Sequence, residues 1–423
     1  MNNSITTLLN LSLRSINLGT KFVLVIFLAK LLSMEEFGVY GLLTALINFS
    51  LYLIGLDFYT YSNRELINAK NSTEKNKIIS SHLNIVLILY VVTLPLLSLI
   101  FFKQIIPLDY IILFYAILIS EHINQEIMRL LIIYKSPVIS SLLFFIRSSS
   151  WVFIIIVLTF LSITTSLQTI LAVWLIAQII TLILGMYTLY KLKVHIKIQS
   201  LDILWIKKGL KICVPFLLGT LAVRGIFTVD KYYIDFFFNQ QILAAYILFS
   251  SLTAATLSFM DAAVNVFEYP TLVKQINNRE ESYRITLKRF YKKTVIFLLL
   301  INILSVILIK YLLVLINKSD YLIFLNYFYL LTLVQTIYCL SMVPHYVLYA
   351  LNEDKIIITS HITALVIFIT LLTILEYFNH SAANIFTSLI SSFTFLLIFK
   401  FFKSKNLLKI YEYSNFSKSS KEL

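Results

Sequence analysis

The sequence predicts an all-α polytopic membrane protein, with about twelve transmembrane helices in two pseudo-symmetric six-helix lobes around a central cavity. Three observations carry that expectation. Of the 423 residues, 59% are hydrophobic and only 13% are charged, a balance outside the soluble globular range. Apolar runs of about 18 or more residues recur from end to end, and no polar segment between them is long enough to fold alone. The lysines and arginines behind the net charge of +14 gather in alternate loops, so the charge reads as membrane topology and not as a nucleic-acid footprint.

Apolar runs broken by charge or turn clusters place spans at about 5–31, 37–62, 79–102, 108–133, 137–160, 168–190, 210–238, 241–268, 293–316, 321–350, 354–376 and 381–402. Residues 1–200 are expected to form the N-terminal lobe, and 201–423 the C-terminal lobe with a short basic tail from Lys400 onward. The first apolar run has no basic segment before it and no small-residue cleavage site after it, so it reads as a retained span. Arg64, Lys70, Lys75 and Lys77 follow the second span, Lys191 to Lys211 flank the centre, and Lys274 to Lys293 fill the next such loop. The opposite loops carry only Lys30, Lys103, Lys310 and Lys318, which puts both termini in the cytoplasm.

Ser33 and Glu36 have the S-x-x-E spacing of a capping box at the start of the second span. Leu201, Leu204, Trp205, Lys207 and Lys208 suggest a short amphipathic interfacial helix joining the lobes. External connections are short, leaving no loop to hold the catalytic acid of a membrane-embedded polymerase or glycosyltransferase. Cys213 and Cys339 sit in apolar runs without paired spacing, and His82, His345 and His361 lack metal-ligand spacing. No G-x-x-x-x-G-K-[ST] occurs, so the chain has no phosphate-binding loop of its own. These absences point to a non-enzyme without metal or cofactor.

Charges inside the spans carry the functional reading. Asn10, Arg14, Asn17 and Lys21 recur at four, three and four residues, one helical face. A charge at mid-bilayer costs roughly 2.5–3.5 kcal/mol on insertion scales, so such a stripe must face protein or water. The pattern R-x-I-x-x-x-x-K-aromatic from Arg14 to Phe22 returns from Arg224 to Tyr232, each in the first span of its half. Weaker similarity pairs Phe37 to Tyr40 with Leu243 to Tyr246, and Asp57 with Asp261. Two equivalent stripes favour a cavity lined from both lobes over two snorkelling accidents.

Arg147, with no carboxylate within a turn, reads as a free cation. His122, Glu126 and Arg129 share a face, where Glu126 and Arg129 can pair along the helix. Asp261, Asn265 and Glu268 form another stripe, facing either the basic loop or a coupling ion. Tyrosines from Tyr321 to Tyr349 suit sugar stacking, although packing and interfacial belts explain most of them.

Taken with Leu32 to Tyr40 and Thr228 to Asp235, this order of motifs resembles the Wzx-type flippases of bacterial O-antigen and capsule synthesis. These lie within the multidrug/oligosaccharidyl-lipid/polysaccharide exporter superfamily. The aspartate–arginine pair usual in that family's seventh span stands here as Asp230–Lys231, keeping charge but losing bidentate geometry. The resemblance implies translocation of an undecaprenyl-diphosphate-linked oligosaccharide from the inner to the outer leaflet of the bacterial cytoplasmic membrane. It further implies alternating access, ion coupling, and functional contact with membrane lipids, a polysaccharide polymerase and a chain-length regulator.

Arg14, Lys21, Arg147, Arg224 and Lys231 are then the anion-facing cations, and Asp57, Glu126, Asp261 and Glu268 the candidate coupling groups. The alternatives are a multidrug exporter of the same superfamily, which a basic wall disfavours for cationic compounds, a polymerase or glycosyltransferase, and a non-transporting scaffold.

Overall fold

The computed structural model describes the backbone of residues 3–161, 165–194 and 202–419, and the side chains of 12–13, 15–161, 165–194 and 202–412. Asn10 and Arg14 have their side chains outside the described set. The described residues are helical throughout, without a strand. Eleven helical runs among them are long and apolar enough to cross a membrane, from Met34–Gly55 to Ala383–Glu412. A further long helix precedes them.

The chain divides into two compact units, Met1–Leu217 and Leu218–Leu423. The first holds α1 (Asn3–Leu31), α2 (Met34–Gly55), α3 (Tyr59–Asn68), α4 (Ser72–Phe102), α5 (Ile111–Ile133), α6 (Pro137–Phe145), α7 (Trp151–Phe160) and α8 (Leu167–Lys191). The boundary falls inside α9 (Ile203–Phe237). The second unit continues through α10 (Gln240–Met260), α11 (Val266–Asn277), α12 (Tyr283–Leu315), α13 (Leu325–Ala350), α14 (Asp354–Phe378) and α15 (Ala383–Ser419).

Local chemistry explains several of the helix starts. Ser33 accepts the Glu36 N–H at 3.1 Å while the Glu36 carboxylate returns to the Ser33 N–H at 3.3 Å, the reciprocal cap expected at α2. The other Glu36 oxygen takes the Leu167 N–H at 3.1 Å, so one side chain ties together the starts of α2 and α8. Asn71 and Asn239 cap α4 and α10 through the Glu74 and Ile242 amides.

Three sequence expectations are corrected. The single span expected over 37–62 is broken after Gly55, where Leu56 and Asp57 both take left-handed backbone (φ 47° and 50°). This terminates α2 and starts α3 in a new direction, so Arg64 is helical and not in a loop. The interfacial helix expected around Trp205 is instead the first turns of the continuous α9. Trp205 packs on Phe58 and Tyr61 at ring distances of 5.3 and 5.2 Å, and a Cβ on Gly209 would meet the Phe58 ring at 2.5 Å. Close approach to α3 thus holds this stretch in the first unit.

Asp202 accepts the Trp205 N–H at 3.0 Å, and Lys77 lies 3.1 Å from its other oxygen. The backbone bond first, and then the lysine, hold its carboxyl below the usual range. Finally, Lys400 does not begin a solvated tail. It is fully buried within α15, which packs along α13 and α14.

Candidate functional site

The second unit contains a cavity of about 370 Å³ whose wall combines α9, α10, α13 and the turn between α10 and α11. Arg224 is exposed on this wall, with Lys231 seven residues on along the same helix face. The aspartate between them is buried. Asp230 accepts the Tyr246 hydroxyl at 2.7 Å and lies 3.2 Å from the Lys231 ammonium. Lys231 also donates to the Phe227 carbonyl at 2.6 Å, so its charge is held against α9 while its side chain remains on the cavity wall.

Asp261 stands on the same wall in a π-helical turn, Asp261–Asn265, and accepts the Asn265 amide at 2.5 Å. The extra residue of a π turn re-aims side chains within an otherwise regular helix. Gln335 and Tyr338 from α13, and Ser250, Ser251, Thr253 and Ser258 from α10, add neutral polar groups to the lining. The cavity therefore mixes two cations and two carboxylates, one of the carboxylates already committed to Lys231 and Tyr246.

The first unit builds its polar interior differently. A second π-helical turn, Ile146–Ser150, joins α6 to α7 and carries Arg147. Arg147 is buried and forms an ion pair with Glu121 of α5, which also accepts the Gln178 amide of α8. Gln178 in turn accepts from Asn124 at 2.9 Å. The sequence expectation of Arg147 as a free cation is thereby corrected. Its partner lies 26 residues away on another helix, where a within-turn search for carboxylates does not look.

Ser148 and Ser149 of the same turn donate to Asn17 of α1, so this member of the α1 stripe is buried in packing. Lys21, by contrast, is exposed, with its ammonium 5.9 Å from the centre of the Phe144 ring. The same ring takes the Arg147 guanidinium at 5.4 Å.

The candidate coupling carboxylates fall into separate settings. Glu126 forms the intrahelical pair with Arg129 and is reached by His82 at 3.3 Å and His122 at 3.8 Å. Arg129 also lies 3.5 Å above the Tyr59 ring, beside a cavity of about 170 Å³ lined by Asp57, Tyr59, His122 and Arg129. Gly55 lets α2 approach α5 here, since a Cβ would meet His122 Nε2 at 3.0 Å. Glu268 is buried under Arg289 (2.9 Å) and Lys293 (2.7 Å), the basic-loop alternative for that residue.

Sequence reasoning missed Glu121, Gln178 and Tyr246. Each acts across helices, and only Glu121, a carboxylate in an apolar span, left a signal that composition alone exposes.

No protein-family model matches the chain, and no curated protein matches it by sequence. Its fold does match solved structures. An inward-facing multidrug-resistance MATE family transporter of the MOP superfamily superposes with a TM-score of 0.75 at 12% identity, over 95% of each chain. The lipid II flippase MurJ in an inward closed conformation gives 0.68 at 14% identity, over 95% of this chain and 88% of that one. A MATE protein in complex with MaD3S gives 0.62 at 12% identity, over 97% and 95%. The chain is therefore a multi-pass membrane protein with the fold of MOP-superfamily transporters.

Proposed function

We propose that the chain is a transporter of lipid-linked oligosaccharide, carrying an undecaprenyl-diphosphate-linked repeat unit of O-antigen or capsule type from the inner to the outer leaflet of a bacterial cytoplasmic membrane by ion-coupled alternating access. The observation that carries this reading is the exposed arginine on the wall of the second unit's cavity. Arg224 and Lys231 share one face of α9, a helix long and apolar enough to cross a membrane, and both line the cavity. A guanidinium so placed suits a diphosphate, which offers it paired oxygen acceptors.

Lys21, exposed at the position of the repeat that matches Lys231, supports the same chemistry in the first unit, and Arg14, which matches Arg224, is proposed beside it. Arg147 drops out of the anion-binding set and becomes a positioning residue, because Glu121 neutralises it. The MurJ fold match, a flippase of a lipid, is consistent with a lipid-borne substrate.

The test is an Arg224→Ala, Lys21→Ala double variant in a host that depends on this chain for surface polysaccharide. The expected result is normal protein level in the membrane, loss of surface polysaccharide, and lipid-linked single repeat units retained on the cytoplasmic leaflet. Wild-type polysaccharide from an abundant double variant overturns the reading.

Asp261 favours a second reading. An exposed carboxylate on the cavity wall suits a cationic compound, and a multidrug-resistance transporter shares this fold. Under that reading Asp261→Asn abolishes efflux of cationic dyes, and Arg224→Ala leaves efflux intact.

A further inference from the structure

Lys400 is the largest charged side chain withdrawn fully from the surface of the second unit. Its Nζ lies 2.9 Å from His361 Nε2 on α14 and 3.3 Å from His345 Nδ1 on α13. The two imidazoles are parallel, 5.8 Å apart with planes at 1°. On the far side of His361, Nδ1 lies 3.1 Å from the Gly219 carbonyl of α9.

A carbonyl only accepts, so His361 Nδ1 carries a hydrogen and donates it to Gly219, while the Nε2 lone pair faces Lys400. α9 passes close to α14 at Gly219, where a Cβ would already touch the Ile358 side chain at 3.3 Å. Lys400 therefore donates to the His361 lone pair and shares a second hydrogen bond with His345, and four helices meet at one hydrogen-bonded cluster.

The groups around the cluster are few. α13 presents His345 and, packed edge-on against its ring at 5.6 Å, Tyr346. α14 presents His361, α9 presents a carbonyl, and α12 sends Tyr291 against the neighbouring Phe401 ring. Among the described residues Lys400 forms no ion pair with a carboxylate.

Three basic nitrogen groups are thus sealed together with no carboxylate paired to them among the described residues. Gaining one proton places a full uncompensated charge in the packed interior, a condition relieved only when water or an anion reaches it. Losing that proton leaves an amine and two imidazoles, whose hydrogen bonds the packing already satisfies.

We propose that Lys400, His361 and His345 form a proton-binding site whose occupancy controls how tightly α15 packs on α13 and α14. Hydronium from the aqueous phase delivers its proton to the cluster and leaves as water, and the added positive charge opens the α13–α14–α15 seam. The site is separate from the carboxylates Asp57, Glu126, Asp261 and Glu268, and it does not depend on which substrate the chain carries. His361 lies seven residues from the start of α14, about 10 Å along that helix, so a short opening connects the cluster to the α13–α14 turn.

The test is hydrogen–deuterium exchange of the full chain in phosphatidylcholine nanodiscs, followed over 341–349, 357–365 and 396–404. After correction for intrinsic rates, wild-type exchange in these segments is expected to be at least about tenfold faster near pH 5 than near pH 9. Lys400→Met, uncharged at both values, is expected to exchange slowly at both, and Lys400→Arg, charged at both, rapidly at both. Lys400→Gln replaces the methionine variant if that chain does not fold. Equal wild-type exchange at the two pH values overturns the proposal without recourse to any variant, as does an undiminished pH effect in the neutral variant.

Discussion

Removing the Arg147 guanidinium is expected to destabilise the first unit. Arg147 is 6% exposed, and the Glu121 side chain it pairs with is 14% exposed. Arg147→Ala leaves a carboxylate in the helix interior with the Gln178 amide, and a Gln125 amide at 3.3 Å, as its remaining donors. Breaking one side of a buried ion pair costs roughly 3–5 kcal/mol, and the surviving amides place this case near the lower end. About 3 kcal/mol is roughly a hundredfold in the folding equilibrium, a large share of the 5–15 kcal/mol that holds typical domains together.

The assay is membrane abundance together with the thermal unfolding midpoint in nanodiscs for Arg147→Ala, Glu121→Gln and the Arg147→Met, Glu121→Gln pair. Each single change is expected to lose abundance and midpoint, while the pair recovers most of both, because no lone charge remains buried. Arg224→Ala, on a cavity wall, is expected to keep wild-type abundance. An Arg147→Ala chain with wild-type abundance and midpoint refutes the argument that Glu121 and Arg147 depend on each other.

Two further outcomes follow from the same geometry. Tyr246→Phe removes a fully buried donor to Asp230 at 2.7 Å and should destabilise the second unit by about 1.5–3 kcal/mol, read as a lowered unfolding midpoint. Asp202 has a carboxyl whose pKa is depressed in the folded chain, so its contribution is present above its unfolded value of 3.8 and is lost as pH falls through the lower folded value. Exchange of the first-turn amides of α9 should accordingly rise in that acid window, and Asp202→Asn should remove the dependence.

Much of the architecture was legible because the bilayer constrains sequence so strongly. Any crossing segment must satisfy its backbone internally and show lipid-compatible side chains, so the long helices announce themselves in composition. The α2 cap was legible for an equally local reason, since Ser33 and Glu36 are three residues apart. The break at Leu56–Asp57 was not, because left-handed backbone at non-glycine residues leaves no composition signal.

The repeat from Arg14 to Phe22 and from Arg224 to Tyr232 was visible as spacing, and in the structure Arg224 and Lys231 both line the second unit's cavity. Spacing could not say which charges are spoken for. Arg147 looked unpaired because its partner is on another helix, and Lys400 looked like a solvated tail because a basic C-terminal run usually is one.

The sequence by itself determined the class of structure, the number and approximate extent of the long helices, and the presence of costly charges within them. These follow from hydrophobicity and helical period, which are properties of each segment alone. Tertiary structure decided what the charges do. It paired Arg147 with Glu121, set Asp230 between Lys231 and Tyr246, left Arg224 exposed on a cavity wall, and enclosed Lys400 between two histidines. The cost of a buried charge is fixed by the partner that reaches it, and that partner arrives from a different helix.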